Sequence, residues 1–95
     1  MTSEQIAHLT ELYKELATIN EGIQSDFDNY YSLKLADAEN SVIIMGNAEG
    51  LINLATAILE LAISRKDGKH YHFGTGALDN CDKELEILYK SPENE

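Results

Sequence analysis

The sequence predicts an α+β fold: a small antiparallel sheet of about four strands, two helices packed mainly on one of its faces, and the order α-β-β-α-β-β. Three observations predict it. Apolar residues recur every three to four positions in two stretches, one at the start of the chain and one in its middle. Each stretch is followed by two short runs in which apolar residues alternate with polar ones or are rich in β-branched types. The hydrophobic share of 43% and charged share of 25% are those of an ordinary globular chain, and 95 residues suit a single domain. That domain spans residues 1–95, with an N-terminal helix at 1–24 and a core at 30–90.

The first helix opens on Thr2-Ser3-Glu4-Gln5, where Thr2 has the position of an N-cap and Gln5 that of its reciprocal partner. Ile6, Leu9, Leu12 or Tyr13, Leu16, Ile19 and Ile23 then form one stripe, and Gly22 with Gln24-Ser25-Asp26 marks its end. Tyr31, Leu33 and Leu35 alternate with Ser32, Lys34 and Ala36, the period of a half-buried strand. Asp37-Ala38-Glu39-Asn40 reads as a turn. Val42-Ile43-Ile44-Met45 is apolar on both faces, as a central strand would be. Gly46-Asn47 breaks it, with Asn47 as the cap of a second helix and Glu49 in its first turn.

Leu51, Leu54, Ala55, Ile58, Leu59, Leu61 and Ala62 give that helix the broader stripe, so it should be the better buried of the two. Arg65 and Lys66 fall in its last turn, and Gly68 closes it or the turn beyond. His70-Tyr71-His72-Phe73 is a short strand whose two imidazoles share one face while its two aromatic rings feed the core. Gly74-Thr75-Gly76 reads as a turn and Leu78 to Lys83 as a loop. Leu85, Ile87 and Tyr89 alternate with Glu84, Glu86, Leu88 and Lys90 in the last strand, where Leu88 interrupts a polar face.

Seventeen acidic residues against seven basic ones leave a net charge of −10, a field that rejects nucleic acid and anionic lipid and attracts basic partners. One cysteine, Cys81, excludes an internal disulfide and fits a reducing compartment; its acidic neighbours Asp79 and Asp82 raise a thiol's pKa, against a nucleophilic role. No apolar run approaches the roughly 18 residues of a membrane span, and the first residues lack the pattern of a signal peptide. The expected location is the cytoplasm.

Chemistry-bearing residues gather around the histidine pair. If Tyr71, Phe73, Leu85, Ile87 and Tyr89 face the helices, then His70, His72, Glu84 and Glu86 lie outward, with Ser32 and Lys34 able to join them. This is the pattern of a mixed-charge recognition surface or of plain solvated positions. Tyr30 and Tyr31 are the candidate aromatic anchors, Tyr being enriched at interface hot spots. The expected partner-binding set is therefore Tyr30, Tyr31, Lys34, His70, His72, Glu84 and Glu86. A metal reading would combine His70 and His72 with Asp79, Cys81 or Asp82, but two histidines alone make an incomplete ligand set, so no metal and no cofactor are expected. Gly74-Thr75-Gly76 lacks the lysine of a phosphate-binding loop, and no nucleophile elbow or catalytic carboxylate pair stands out.

The run Ser41-Val42-Ile43-Ile44-Met45-Gly46-Asn47-Ala48-Glu49-Gly50-Leu51, the Leu- and Ala-rich helix, His70-Tyr71-His72-Phe73, and then Leu78 with Glu84-Leu85-Glu86-Ile87 resemble the immunity protein 32 family of bacterial polymorphic toxin systems. The resemblance covers about residues 30–90 and leaves the first helix outside. It implies a protein that binds and neutralises a cognate toxin, without enzymatic activity of its own. The acidic charge points to a basic toxin such as a nuclease. Two other readings stand beside it: a small metal-dependent enzyme using His70 and His72, and a homodimeric adaptor whose Val42–Met45 run is covered by its own copy.

Overall fold

A computed structural model describes residues 1–73 and 84–91. The elements follow the expected order: α1 (Ser3–Ser25), β1 (Leu33–Ala38), β2 (Ser41–Gly46), α2 (Ala48–Ser64), β3 (His70–Phe73) and β4 (Leu85–Leu88). The strands form two antiparallel pairs, β1 with β2 and β3 with β4, and among the described residues no ladder joins one pair to the other. The turn expected at Gly74-Thr75-Gly76 and the loop after it lie outside the described residues.

Local sequence explains both helix starts. Thr2 and Gln5 bond reciprocally, Gln5 N–H donating to Thr2 Oγ1 at 3.1 Å and Thr2 N–H to Gln5 Oε1 at 2.8 Å. Asn47 caps α2 by accepting from the Gly50 N–H at 3.0 Å. That helix ends on Arg65 in the left-handed region (φ 49°), so Arg65 is the cap rather than part of the last turn. Gly68, at φ 84°, belongs to the following turn, in a conformation that costs glycine little.

The core is small. Leu33, Leu54 and Phe73 form it, from β1, α2 and β3, with Tyr31, Leu35, Ala57, Tyr71, Leu85 and Ile87 packed around them. As the stripe widths predict, α2 is the better buried helix: it buries Leu54 and Leu61, whereas no residue of α1 is fully buried. The α1 helix packs on α2 through polar pairs, Asn20 Nδ2 donating to Asn53 Oδ1 at 3.0 Å and Gln24 Nε2 to the Glu49 carbonyl at 3.1 Å. Tyr71 donates to the Glu60 carboxylate, and Lys69 Nζ lies 3.8 Å from the same carboxylate, so one acid on α2 ties down β3.

The β1–β2 hairpin departs from expectation in two ways. Its β1 strand runs on to Ala38, so the connection is only Glu39-Asn40. More consequentially, β2 is not a central strand. Among the described residues only β1 pairs with it, and Val42, Ile43, Ile44 and Met45 are 64, 42, 44 and 43% exposed. An apolar run on both faces identifies a strand with something to cover, and that cover need not come from its own fold.

Both ends of the hairpin's base are fixed to α2. The Ser32 carbonyl accepts from Asn47 N–H at 3.2 Å, and Ser32 N–H donates to Asn47 Oδ1 at 3.0 Å. A methyl group at Gly46 or Gly50 would lie 2.8 or 1.9 Å from that carbonyl oxygen, which explains the two glycines at the strand-to-helix junction.

Candidate functional site

The β3–β4 pair arranges the histidine face as the alternation predicts. The register sets His70 opposite Leu88, Tyr71 opposite Ile87, His72 opposite Glu86 and Phe73 opposite Leu85. Directly opposed residues share a face. Tyr71, Phe73, Leu85 and Ile87 therefore point inward, while His70, His72, Glu84, Glu86 and Leu88 are exposed.

Three interactions order that face. The His70 and His72 rings meet edge to face with centroids 4.9 Å apart. His70 Nδ1 lies 3.0 Å from the Gly68 carbonyl oxygen, and His72 Nδ1 lies 3.5 Å from Glu84 Oε2. One ligating atom each from His70, His72 and Glu86 fall within 4.8 Å of one another. Sequence reasoning placed Glu86 on this surface but did not join it to the histidines, because the join depends on cross-strand register. The alternatives considered from the sequence, Asp79, Cys81 and Asp82, lie outside the described residues.

Behind this face, the Glu60 carboxylate acts on two tyrosines, Tyr71 of β3 and Tyr13 of α1. The hydrogen bond to Glu60, followed by burial and the carboxylate's charge, pushes the Tyr71 hydroxyl up to about 12. Burial first, then the same carboxylate, raises Tyr13 as well.

Tyr30, Tyr31 and Lys34 sit on the other strand pair or its approach, so the seven expected partner-binding residues are divided between two sheets. Tyr31 is half-buried against the core, while Tyr30 is 75% exposed. Asn47 Nδ2 donates to the Tyr30 carbonyl, so the exposed ring stands on a fixed backbone. Lys34 is exposed on β1 directly across from Met45.

Two surface features escape the periodicity of the sequence, one because it lies outside any stripe and one because it lies within a stripe yet is exposed. Phe27 is fully exposed between Asp26 and Asp28, in a bend held by the Asp28 N–H donating to Asp26 Oδ1 at 2.9 Å and Asn29 Nδ2 to the Ile23 carbonyl at 3.0 Å. On α2, Leu51 and Ile58 face outward, 43 and 46% exposed, although the stripe count includes them.

The segment from β2 through α2 and β3 to β4 matches the family model described as immunity protein 32, over residues 41–91, more than half of the chain. The chain belongs to the immunity protein 32 family. The match begins at β2, so α1 lies outside it, as expected, and so does β1, which the resemblance from residue 30 had included. No curated protein and no solved structure matches this family member. Its role is one of immunity, and no helix among the described residues is long and apolar enough to cross a membrane. The features that the family match takes in are the exposed apolar strand β2, the glycine-flanked cap of α2 and the histidine face.

Proposed function

We propose that the chain binds a cognate bacterial toxin in the cytoplasm and neutralises it by covering the surface the toxin works with. Membership of the immunity protein 32 family is the observation that carries this reading. The exposed Val42–Met45 strand supports it, because apolar surface of this kind on a protein of net charge −10 marks an interface rather than a solubilising face. Phe27 and Tyr30 supply the aromatic type of anchor on fixed backbone, flanked by Asp26 and Asp28. Of the residues expected from the sequence, Tyr30, Lys34, His70, His72, Glu84 and Glu86 present exposed side chains to a partner, and Tyr31 supports them from the core. A basic toxin, such as a nuclease, fits the charge, which would speed capture more than it adds affinity.

Co-expression with the toxin encoded beside this gene tests the proposal. The expected result is restored growth and a one-to-one complex whose association slows as salt rises. A toxin that kills equally well in the presence of this chain removes the proposal. Salt-independent association removes only the electrostatic part. The apolar strand equally fits a homodimer, which sedimentation of the isolated chain tests: a monomer at high concentration excludes it.

A further inference from the structure

The geometry points to a surface site for a divalent transition-metal ion of the zinc class, formed by His70 and His72 of β3 and Glu86 of β4. Neither the family match nor the immunity role calls for such a site, and the inference does not rest on toxin binding.

The donors converge because of strand geometry. Residues two apart on a strand project from the same face, which sets His70 beside His72, and the register sets Glu86 directly across from His72. One donor atom from each lies within 4.8 Å of the others. Zinc bonds of about 2.0–2.1 Å in a tetrahedron require donors roughly 3.4 Å apart. All three side chains are exposed, so small torsional changes close that difference without moving the core.

The neighbours of the two imidazoles bear on which ring nitrogen is free to bind. The Gly68 carbonyl can only accept a hydrogen bond, so in neutral His70 the proton sits on Nδ1 and the lone pair on Nε2. Glu84 Oε2, at the longer distance of 3.5 Å from His72 Nδ1, favours the same tautomer there. A ring N–H held by a carbonyl or carboxylate, leaving the other nitrogen free, is the arrangement that orients histidine ligands in metal proteins. The left-handed turn at Gly68 helps set the carbonyl that holds His70.

Two imidazoles and one carboxylate select borderline ions such as Zn²⁺ over hard Ca²⁺ or Mg²⁺. Three protein donors leave a fourth position for water or for a donor from another molecule. Because the ligands come from two strands, the bound ion would also hold β3 against β4 and raise the melting temperature by mass action.

Isothermal titration of the purified, chelator-stripped chain with zinc chloride alone, in mildly alkaline buffer, tests the site. One-to-one binding is expected, weakened about tenfold or more by His70→Ala, His72→Ala or Glu86→Gln, and unchanged by His8→Ala. Circular dichroism of the metal-free variants should match the parent, since all three side chains are exposed. In the parent chain, proton NMR should show the His70 and His72 ring resonances moving with added zinc while those of His8 stay in place. Absence of one-to-one binding would overturn the assignment. So would binding that persists in the His70→Ala, His72→Ala double variant, or ring resonances that do not move.

Discussion

Replacing Gly50 by alanine tests how β1 is seated on α2. The added Cβ would lie 1.9 Å from the Ser32 carbonyl oxygen and 2.7 Å from its carbon, so either the backbone of β1 or the first turn of α2 must move. Movement breaks the two hydrogen bonds between Ser32 and Asn47, 3.2 and 3.0 Å long, at about 1 kcal/mol each. Forcing the packed backbone apart costs about 2 kcal/mol more. Alanine returns up to about 1 kcal/mol through its better helix propensity. The net expectation is a loss of about 3 kcal/mol, against a total stability of roughly 5–14 kcal/mol for a chain of this size.

Urea titration followed by circular dichroism measures it, with Gly22→Ala as the matched control. Gly22 lies within α1 and has nothing within 4 Å of its virtual Cβ, so that variant should gain roughly 0.5–1 kcal/mol. The two substitutions have the same chemistry and opposite expected signs. If Gly50→Ala is as stable as Gly22→Ala, Ser32 does not sit over the start of α2 and the reasoning fails.

Two further outcomes follow from the packing. Tyr71 is raised from 10.0 to about 12 in the folded chain by its hydrogen bond to Glu60, so its stabilising contribution is complete below pH 10 and is lost as pH rises from 10 to 12. Thermal melts across that range should show a smaller decline in Tyr71→Phe than in the parent; equal declines would mean that the Glu60 bond does not form. On β2, Ile43→Lys changes a 42%-exposed side chain and should shift stability by less than about 1 kcal/mol while weakening toxin neutralisation in co-expressing cells. Full protection by that variant would remove the strand from the proposed interface.

The sequence by itself determined the elements. Thr2 with Gln5, and Asn47 ahead of an apolar stripe, mark helix starts through hydrogen bonds made within one turn, so their neighbours in sequence suffice to find them. Alternation likewise decided which way His70 to Phe73 point, because a strand's period is local geometry. Three things were left to the tertiary structure. The partner opposite His72 is Glu86 because of a register between segments distant in the chain. The Val42–Met45 run reads the same whether buried in a sheet or lying on its edge, since hydrophobicity records a need for cover and not its source. The strands form two pairs rather than one ladder among the described residues, an outcome that the alternation within a single strand does not encode. Local bonds write themselves into adjacent residues; contacts between remote segments are decided only when the chain packs.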